Sequence, residues 1–245
     1  MTMFEYAKNA YKSMQDKPKE ERWQYFLDYY KWYVIAAIAI VALLIHSIVF
    51  LATRKDTVFG GILVDAVGSE TSEAYVQELE EYLQLNTKKE KVHKQVGIGL
   101  QEGFGNNKVE SFQQILAFIT SKSTDFLTAP ETSFAQCAYS TTNMLADLRD
   151  HLDAETLERL EGQLYYIDQD LIEQARDSAL PADIKFPDPQ APETMTDPVP
   201  VGINITGCVE FYSQYYLLTE DLYLALAVNT EHTETVLKFL EFLGI

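Results

Sequence analysis

The sequence predicts an N-terminal transmembrane helix followed by an α/β domain, in which helices flank a mostly parallel sheet. Two observations predict this fold class. Residues 34–52 run for nineteen positions without a formal charge. Beyond Lys55, segments rich in β-branched residues alternate with segments whose apolar residues recur at helical spacing. The chain therefore divides into a segment 1–33, a helix 34–53 and a domain 56–245.

The uncharged run VIAAIAIVALLIHSIVFLA has the length of a membrane span. As a helix it extends about 28 Å, close to the hydrocarbon thickness of a bilayer. A buried core helix seldom runs this long without a polar face. A cleaved signal peptide would have a shorter leader and a small-residue cleavage site, so we expect a retained signal anchor. Aromatic and basic side chains suit the membrane interfaces, and those expected there are Trp23, Tyr29, Tyr30, Lys31, Trp32, Tyr33, Arg54 and Lys55.

The distribution of basic residues predicts the orientation of this helix. Six of them precede it, namely Lys8, Lys12, Lys17, Lys19, Arg22 and Lys31. After Arg54 and Lys55 the next basic residue is Lys88. The positive-inside rule then places segment 1–33, an amphipathic and aromatic juxtamembrane segment, in the cytoplasm. We expect a single-pass protein of the cell membrane with an extracytoplasmic domain 56–245.

The domain 56–245 is strongly acidic, with eleven basic and thirty-two acidic side chains and a net charge of −21. Such a surface repels phosphate backbones, which argues against nucleic acid as a partner. The same net charge opposes contact with anionic lipid. Plain solubility and a cationic partner both remain open as explanations of the charge.

The pattern in the domain begins as strand, helix, strand, helix, strand, which is typical of right-handed crossovers in a parallel sheet. Strands are predicted at 57–65, 91–100, 124–128, 163–167, 201–205 and 221–228. Helices are predicted at 73–85, around 109–119, at 134–160, at 207–215 and at 233–243. Six of the eight prolines fall within 181–200, which predicts an exposed irregular connection.

Several stretches carry a resemblance to a known class of protein. They are the aromatic segment WQYFLDYYKWY at 23–33, the strand-helix-strand start at 57–100, TDFLTAPETSF at 124–134, DPVPVGINIT at 197–206 and YLALAVNTEHTETVLKFLEFL at 223–243. On these stretches the chain resembles single-pass membrane proteins of Gram-positive, clostridia-like bacteria, whose outer domain is similar to a reduced type 2 periplasmic solute-binding protein. The resemblance implies a periplasmic-binding-protein-like fold in which the second lobe is reduced.

The motifs of common catalytic sites are absent from the sequence. It contains no G-x-S-x-G, no H-E-x-x-H, no P-loop and no C-x-x-C. The four histidines, His46, His93, His151 and His232, are widely scattered. We therefore expect a non-enzymatic protein with no metal site and no cofactor.

Two features of the sequence leave alternatives open. Cys137 and Cys208 both fall in the outer domain, where they can form one disulfide or remain buried free thiols. His46 is an ionisable residue inside the predicted span, where such groups often contact a partner helix or a water path. A neutral imidazole beside Ser47 in the outer third of the span explains it equally well.

If the domain has a ligand cleft, the switch-point rule places it at the carboxyl ends of the parallel strands. The candidate ligand-binding residues there are Asp65, Ser69, Glu102, Thr128, Glu131 and Thr206. The leading hypothesis is a membrane-anchored, extracytoplasmic, non-enzymatic binding module that captures a small solute, a peptide or a partner membrane protein. The alternative is a structural or assembly subunit of a membrane complex. Convergent polar groups in a cleft would favour the first hypothesis, and an exposed apolar patch the second.

Overall fold

The computed structural model describes residues 31–103, 107–177, 186–217 and 220–245, together with Lys12, Pro18, Glu21 and Gln24. It divides the chain into two compact units, Met1–Arg54 and Lys55–Ile245. Of the predicted interface residues, Trp23, Tyr29 and Tyr30 lie outside the described residues.

The first unit contains the helix α1, Lys31–Thr53, which is 23 residues long and has no buried residue. Within the described part of the chain it is the one helix long and apolar enough to cross a membrane. An apolar surface all round is what lipid contact requires. His46 is exposed on this helix, and the Ser47 hydroxyl donates a hydrogen bond to the Leu43 carbonyl oxygen at 2.8 Å. The prediction of a helix of membrane-spanning length is confirmed, and its orientation stays a prediction.

The second unit is built on a six-stranded sheet of order β2-β1-β3-β6-β5-β4. The strands are β1 Asp56–Val64, β2 Glu90–Ile98, β3 Phe126–Pro130, β4 Leu164–Asp168, β5 Pro198–Asn204 and β6 Leu222–Leu226. The helices are α2 Ser72–Tyr82, α3 Lys108–Thr120, α4 Glu131–Ala138, α5 Ala154–Arg159, α6 Gln169–Asp177, α7 Val209–Tyr215 and α8 Thr233–Leu243. The described residues thus form one sheet with helices on it.

The sheet is mixed, so the expectation of a mostly parallel sheet is wrong for its second half. β1 pairs in parallel with β2 and β3, as the alternating pattern predicts. The pairs β3–β6, β6–β5 and β5–β4 are antiparallel. The physical reason is that β5 starts at the edge of the sheet where β4 ends, and β6 starts at the edge where β5 ends. The next strand then runs in the opposite direction.

Two hydrophobic cores lie on the two faces of the sheet. One includes Phe59 and Leu63 of β1 and packs against α2, α7 and α8. The other includes Ile62 and Val64 of the same strand and packs against α3, α4 and α6. The alternation along β1 follows the pleat of a strand that is buried on both faces. The domain is therefore a three-layer arrangement of helices, sheet and helices.

The helix predicted at 134–160 is the least accurate of the sequence expectations. The structure has α4, a 3-10 turn at Leu148–Asp150 and α5 in its place. The Asp147 carboxylate accepts a hydrogen bond from the Arg149 backbone N–H, and the Asp153 carboxylate accepts one from that of Thr156. Aspartate side chains that bind nearby backbone groups compete with a continuous helix and start new turns.

The two cysteines are free thiols and lie on opposite faces of the sheet. Cys137 is buried in the core beside α3 and α4, whereas Cys208 packs against the core on the other face. A disulfide requires Cα atoms within about 7 Å. The structure therefore decides between the two alternatives in favour of free thiols.

This difference in burial predicts unequal reactivity of the two thiols. Burial and the nearby Asp65 carboxylate raise the pKa of Cys137 to about 12, and only the thiolate is the nucleophile. Brief treatment of the folded chain with iodoacetamide is expected to alkylate half-buried Cys208 and to leave Cys137 unmodified, as measured by peptide mass spectrometry. Both thiols should react in denaturant. Equal labelling of the folded chain would contradict the described packing of Cys137.

Candidate functional site

Five of the six predicted ligand-binding residues follow the carboxyl ends of strands, where the switch-point rule places them, whereas Thr128 lies in the middle of β3. Asp65 follows β1 and is 1% exposed. Its carboxylate accepts hydrogen bonds from the backbone N–H groups of Leu100 at 2.7 Å and Gln101 at 3.1 Å. The Ser133 hydroxyl donates a third hydrogen bond to it. Asp65 thus ties β1 to the loop after β2 and to α4.

Asp65 also adopts a backbone conformation that few side chains tolerate. Its φ is 55°, in the left-handed region. Aspartate and asparagine are enriched there because their short polar side chains bond locally. This conformation turns the chain sharply after β1 and directs the carboxylate into the protein. The position of Asp65 agrees with the prediction, but its oxygens are used within the fold.

The hydrogen-bonding groups of Thr128 are likewise used within the fold. It is fully buried in β3, and its hydroxyl oxygen lies 2.6 Å from the Tyr216 hydroxyl oxygen. The Tyr216 hydroxyl also lies 3.1 Å from the Thr128 carbonyl oxygen, to which it donates. Burial raises the pKa of Tyr216, so the phenol stays protonated as a donor. The pair joins β3 to the residue that follows α7.

The remaining predicted residues fall into separate groups along the same edge. The Ser69 hydroxyl donates to the Gln214 side-chain oxygen at 2.7 Å. The Thr206 hydroxyl oxygen accepts from the Leu222 backbone N–H at 2.8 Å. Glu102 is exposed in the loop after β2. The six residues therefore share an edge but are not drawn together into one described cleft, and their ligand-binding role stays a prediction.

Glu131, the first residue of α4, carries the clearest electrostatic signature at this edge. Partial burial, followed by the negative charges of Asp221, Glu220 and Asp188, raises the pKa of its carboxyl group above the usual glutamate value. A carboxyl group whose pKa is higher in the folded state than in the unfolded chain stabilises the fold at pH values below its usual pKa. That contribution is lost as the pH rises through the raised pKa.

We predict that Glu131→Gln is more stable than the wild type near neutral pH, because the variant removes the mutual repulsion of these carboxylates. The difference in thermal midpoint should shrink as the pH falls through the raised pKa of Glu131 and level off below the usual glutamate pKa, where Glu131 is protonated in both folded and unfolded chains. Thermal unfolding of both proteins across this pH range measures it. A difference that grows on acidification would refute the prediction.

A groove that sequence reasoning missed lies at the opposite edge of the sheet. β5 and β6 pair only through Ile203 with Leu224 and Asn204 with Tyr223. Beyond these pairs, residues 144–146 take the place of β5 beside the end of β6. Leu145 bridges to Ala227 there, and the Ala146 N–H donates to the Leu226 carbonyl oxygen at 2.9 Å.

The separation of β5 from β6 opens a groove with a volume of about 340 Å³. This volume is within the range of small-ligand sites, about 300–1,000 Å³. The floor is apolar and consists of Leu145, Ala146, Ile167, Val199, Val201 and Val228. The rim is polar and consists of Asn143, Asp147, Arg149, Asp150, His151, Gln169 and Asp197.

The rim holds more negative than positive charge. Asp147 and Arg149 form an ion pair, with 2.6 Å between a guanidinium nitrogen and a carboxylate oxygen. This hydrogen-bonded contact raises the pKa of Arg149, to which Asp197 and Asp150 also contribute. Asp150 and Asp197 form no ion pair with any residue that the structure describes. The rim thus holds three carboxylates against one guanidinium group, and the carboxylates of Asp150 and Asp197 are exposed.

Rigid elements hold the rim in place. The 3-10 turn Leu148–Asp150 is fixed by fully buried Leu148 and by the Asp147 cap. His151 follows this turn, and its Nδ1 atom lies 3.0 Å from the Thr233 hydroxyl oxygen at the start of α8. The backbone N–H of Asp197 donates to the Asp168 carboxylate at 3.0 Å. Each side of the groove is therefore anchored to the sheet or to a helix.

The sequence offers a weak signal for this groove. Asp147 stands two positions before Arg149, a spacing that suits a capped turn. The acidic sequence around them, however, predicts a continuous helix over 134–160. Asp197 lies in the proline-rich connection, far away along the chain. Because the groove depends on where two strands separate, no local pattern brings these residues together.

A second polar cluster lies at the start of β3. The Asp125 carboxylate is hydrogen-bonded to His232 Nδ1 and the Thr230 hydroxyl, each at 2.8 Å. Its other oxygen accepts from the Gly60 backbone N–H at 2.9 Å. The Val236 backbone N–H donates to the His232 carbonyl oxygen at 3.0 Å. The cluster joins the first turn of α8 to the sheet, which is a structural role.

The groove places the carboxylates of its rim beside apolar lining residues. Across the described ranges, no group of three or more His, Cys, Asp and Glu side chains is arranged to hold a metal ion. Comparison of the chain with models of protein families, with curated proteins and with solved structures finds no match. Function is therefore inferred from the groove itself.

Proposed function

We propose that the protein is a membrane-anchored, extracytoplasmic, non-enzymatic binding module whose groove captures a cationic ligand. The observation that carries the proposal is the combination of apolar lining residues with the carboxylates of Asp150 and Asp197, which form no ion pair with any residue that the structure describes. An amine or guanidinium group can pair with these carboxylates while its hydrocarbon part lies against Val228, the exposed valine of the groove lining. A small polyamine-like solute and a basic side chain of a peptide have this chemistry in common.

The anchor and the fold relationship belong to the same proposal. The length and apolar surface of α1 support a single membrane crossing, and the basic residues before it support a cytoplasmic N-terminus. The strand order β2-β1-β3 with flanking helices supports a relationship to one lobe of a type 2 solute-binding protein. A single sheet within the described residues fits the reduced form of that architecture.

The proposal is tested by thermal unfolding of the full-length chain in nanodiscs against a panel of compounds. The panel contains agmatine, spermidine and 2-phenylethylamine, with their neutral and carboxylate analogues as matched controls. A ligand at a hundred times its dissociation constant adds about 2.7 kcal/mol. This amounts to a shift of several degrees for a domain of this size.

The expected result is saturable stabilisation by cationic compounds that have an apolar part, and none by their neutral or anionic analogues. Stabilisation by the carboxylate analogues would overturn the proposed ligand chemistry. If no compound stabilises the chain, the alternative of a structural or assembly subunit without a ligand is favoured. Co-purification of membrane proteins with the full-length chain would then be the next measurement.

A further inference from the structure

The acidic domain has one concentrated set of basic residues. Of the eleven basic side chains in 56–245, four lie within the seven residues 88–94. Three of these, Lys88, Lys89 and Lys91, together with Lys55, are named here the basic edge. Lys55, Lys88 and Lys89 are exposed, and Lys91 is partly exposed.

The fold brings the basic edge together at the start of β1 and β2. Asp56 pairs with Glu90 and Thr57 pairs with Lys91. The Asp56 backbone N–H donates to the Lys89 carbonyl oxygen at 2.7 Å. β3 joins β1 only from Gly61 onward, so the first residues of β1 pair with β2 alone. These two strands therefore extend past the rest of the sheet at the end where the domain begins.

Chain continuity ties the basic edge to the end of α1. α1 ends at Thr53 and β1 begins at Asp56. Three residues reach at most about 10 Å. Because Lys89 is hydrogen-bonded to Asp56 through its backbone, the basic edge cannot lie far from the residue at which α1 leaves a bilayer.

The charges of the basic edge are available to a ligand. Its four lysines form no ion pair with any carboxylate in the described part of the chain. Neighbouring Lys94 is different, because it pairs with Glu73 at 3.0 Å. Asp56 and Glu90 lie within the edge, and the Glu90 carboxylate accepts the Asn86 backbone N–H at 2.8 Å. Four cations and two carboxylates leave the edge positive, in contrast to the domain as a whole.

We propose that the basic edge docks on the phosphate groups of anionic lipids around the membrane anchor. The proposal rests on α1 spanning the membrane, as proposed above. A lysine near an anionic surface gains about fivefold in partitioning, and the effect falls off within about 8 Å at physiological salt. The lysines nearest the membrane are therefore attracted, while acidic groups farther from the surface are screened. Docking would restrict the orientation of the domain relative to the bilayer.

The test is lysine acetylation of the full-length chain in nanodiscs, measured by peptide mass spectrometry. One set of nanodiscs contains phosphatidylcholine alone, and the other also contains phosphatidylglycerol. Lys88, Lys89 and Lys91 are expected to react at least about threefold more slowly in the anionic nanodiscs, because phosphate contacts bury their amines. About 0.5 M salt should remove the difference. Lys108 starts α3 at the opposite edge of the sheet and is the internal control.

Equal acetylation of the three lysines in both kinds of nanodisc would overturn the proposal. So would protection by millimolar inorganic phosphate in phosphatidylcholine nanodiscs, because the site would then bind free phosphate. Co-purification of the chain with phosphatidylcholine nanodiscs, which contain no anionic lipid, reports insertion of α1 separately. Loss of insertion would therefore refute the proposed anchor and the docking together, whereas a failure of docking alone leaves insertion and the groove ligand unchanged.

Discussion

Replacing Asp65 by alanine is expected to lower the free energy of unfolding by about 3–5 kcal/mol. The variant removes a buried carboxylate that accepts hydrogen bonds from Leu100, Gln101 and Ser133. Each buried donor left without a partner costs about 1–3 kcal/mol. Alanine also fits poorly at a φ of 55°. Urea unfolding of the full-length chain, followed by near-ultraviolet circular dichroism of the buried tyrosines, measures the loss.

Two further variants make this prediction specific. Asp65→Asn retains an acceptor oxygen and tolerates the left-handed conformation, so it should lose less stability than the alanine variant. Glu70→Ala removes an exposed carboxylate and should stay within about 0.5 kcal/mol of the wild type. An alanine variant at Asp65 as stable as the wild type would show that this carboxylate is not structural. The sequence-based prediction that Asp65 binds a ligand would then be favoured again.

Replacing Asp150 and Asp197 together by asparagine is expected to weaken binding of the cationic ligand about 10- to 100-fold. The double variant keeps the shape of the rim but removes the two rim carboxylates that form no ion pair in the described part of the chain. A hydrogen bond to a charged partner contributes about 1.5–3 kcal/mol, which is the basis of this range. Calorimetric titration of the full-length chain with agmatine measures the change.

The matched control is the double variant Glu70→Gln and Glu110→Gln, which removes two exposed carboxylates outside the groove lining. It should bind the ligand as the wild type does, apart from a small long-range effect. Arg149→Gln removes the positive charge of the rim and should strengthen binding by up to about fivefold. Equal weakening by both double variants would show that only the net charge of the domain attracts the ligand.

Much of the architecture is predictable because its signals are local. The uncharged run 34–52 marks α1, and the apolar stripe at 233–243 marks α8 with the bounds that the structure has. The alternating pattern also predicts the parallel arrangement of β1, β2 and β3. Each of these features depends on residues close together in the sequence, where periodicity indicates burial directly.

The rest depends on contacts between distant parts of the chain. The direction of β6 follows from how the chain returns after β5, and no periodicity encodes it. The switch-point rule places Asp65 at the correct edge of the sheet. The rule gives no sign that Asp65 is buried, because its partners Leu100 and Ser133 are 35 and 68 positions away. The groove requires that residues 144–146 replace β5 beside β6, and four separate segments of the chain meet there.

The central claim is that the ligand binds in the groove and not at the carboxyl edge of the sheet. Valine methyl resonances of the full-length chain in nanodiscs, titrated with agmatine, test it most directly. Val199, Val201 and Val228 line the groove, whereas Val64 ends β1 beside Asp65. We predict that the methyl resonances of the three groove valines shift with one common dissociation constant, while those of Val64 stay unchanged. A shift at Val64 with no response from the groove valines would contradict it.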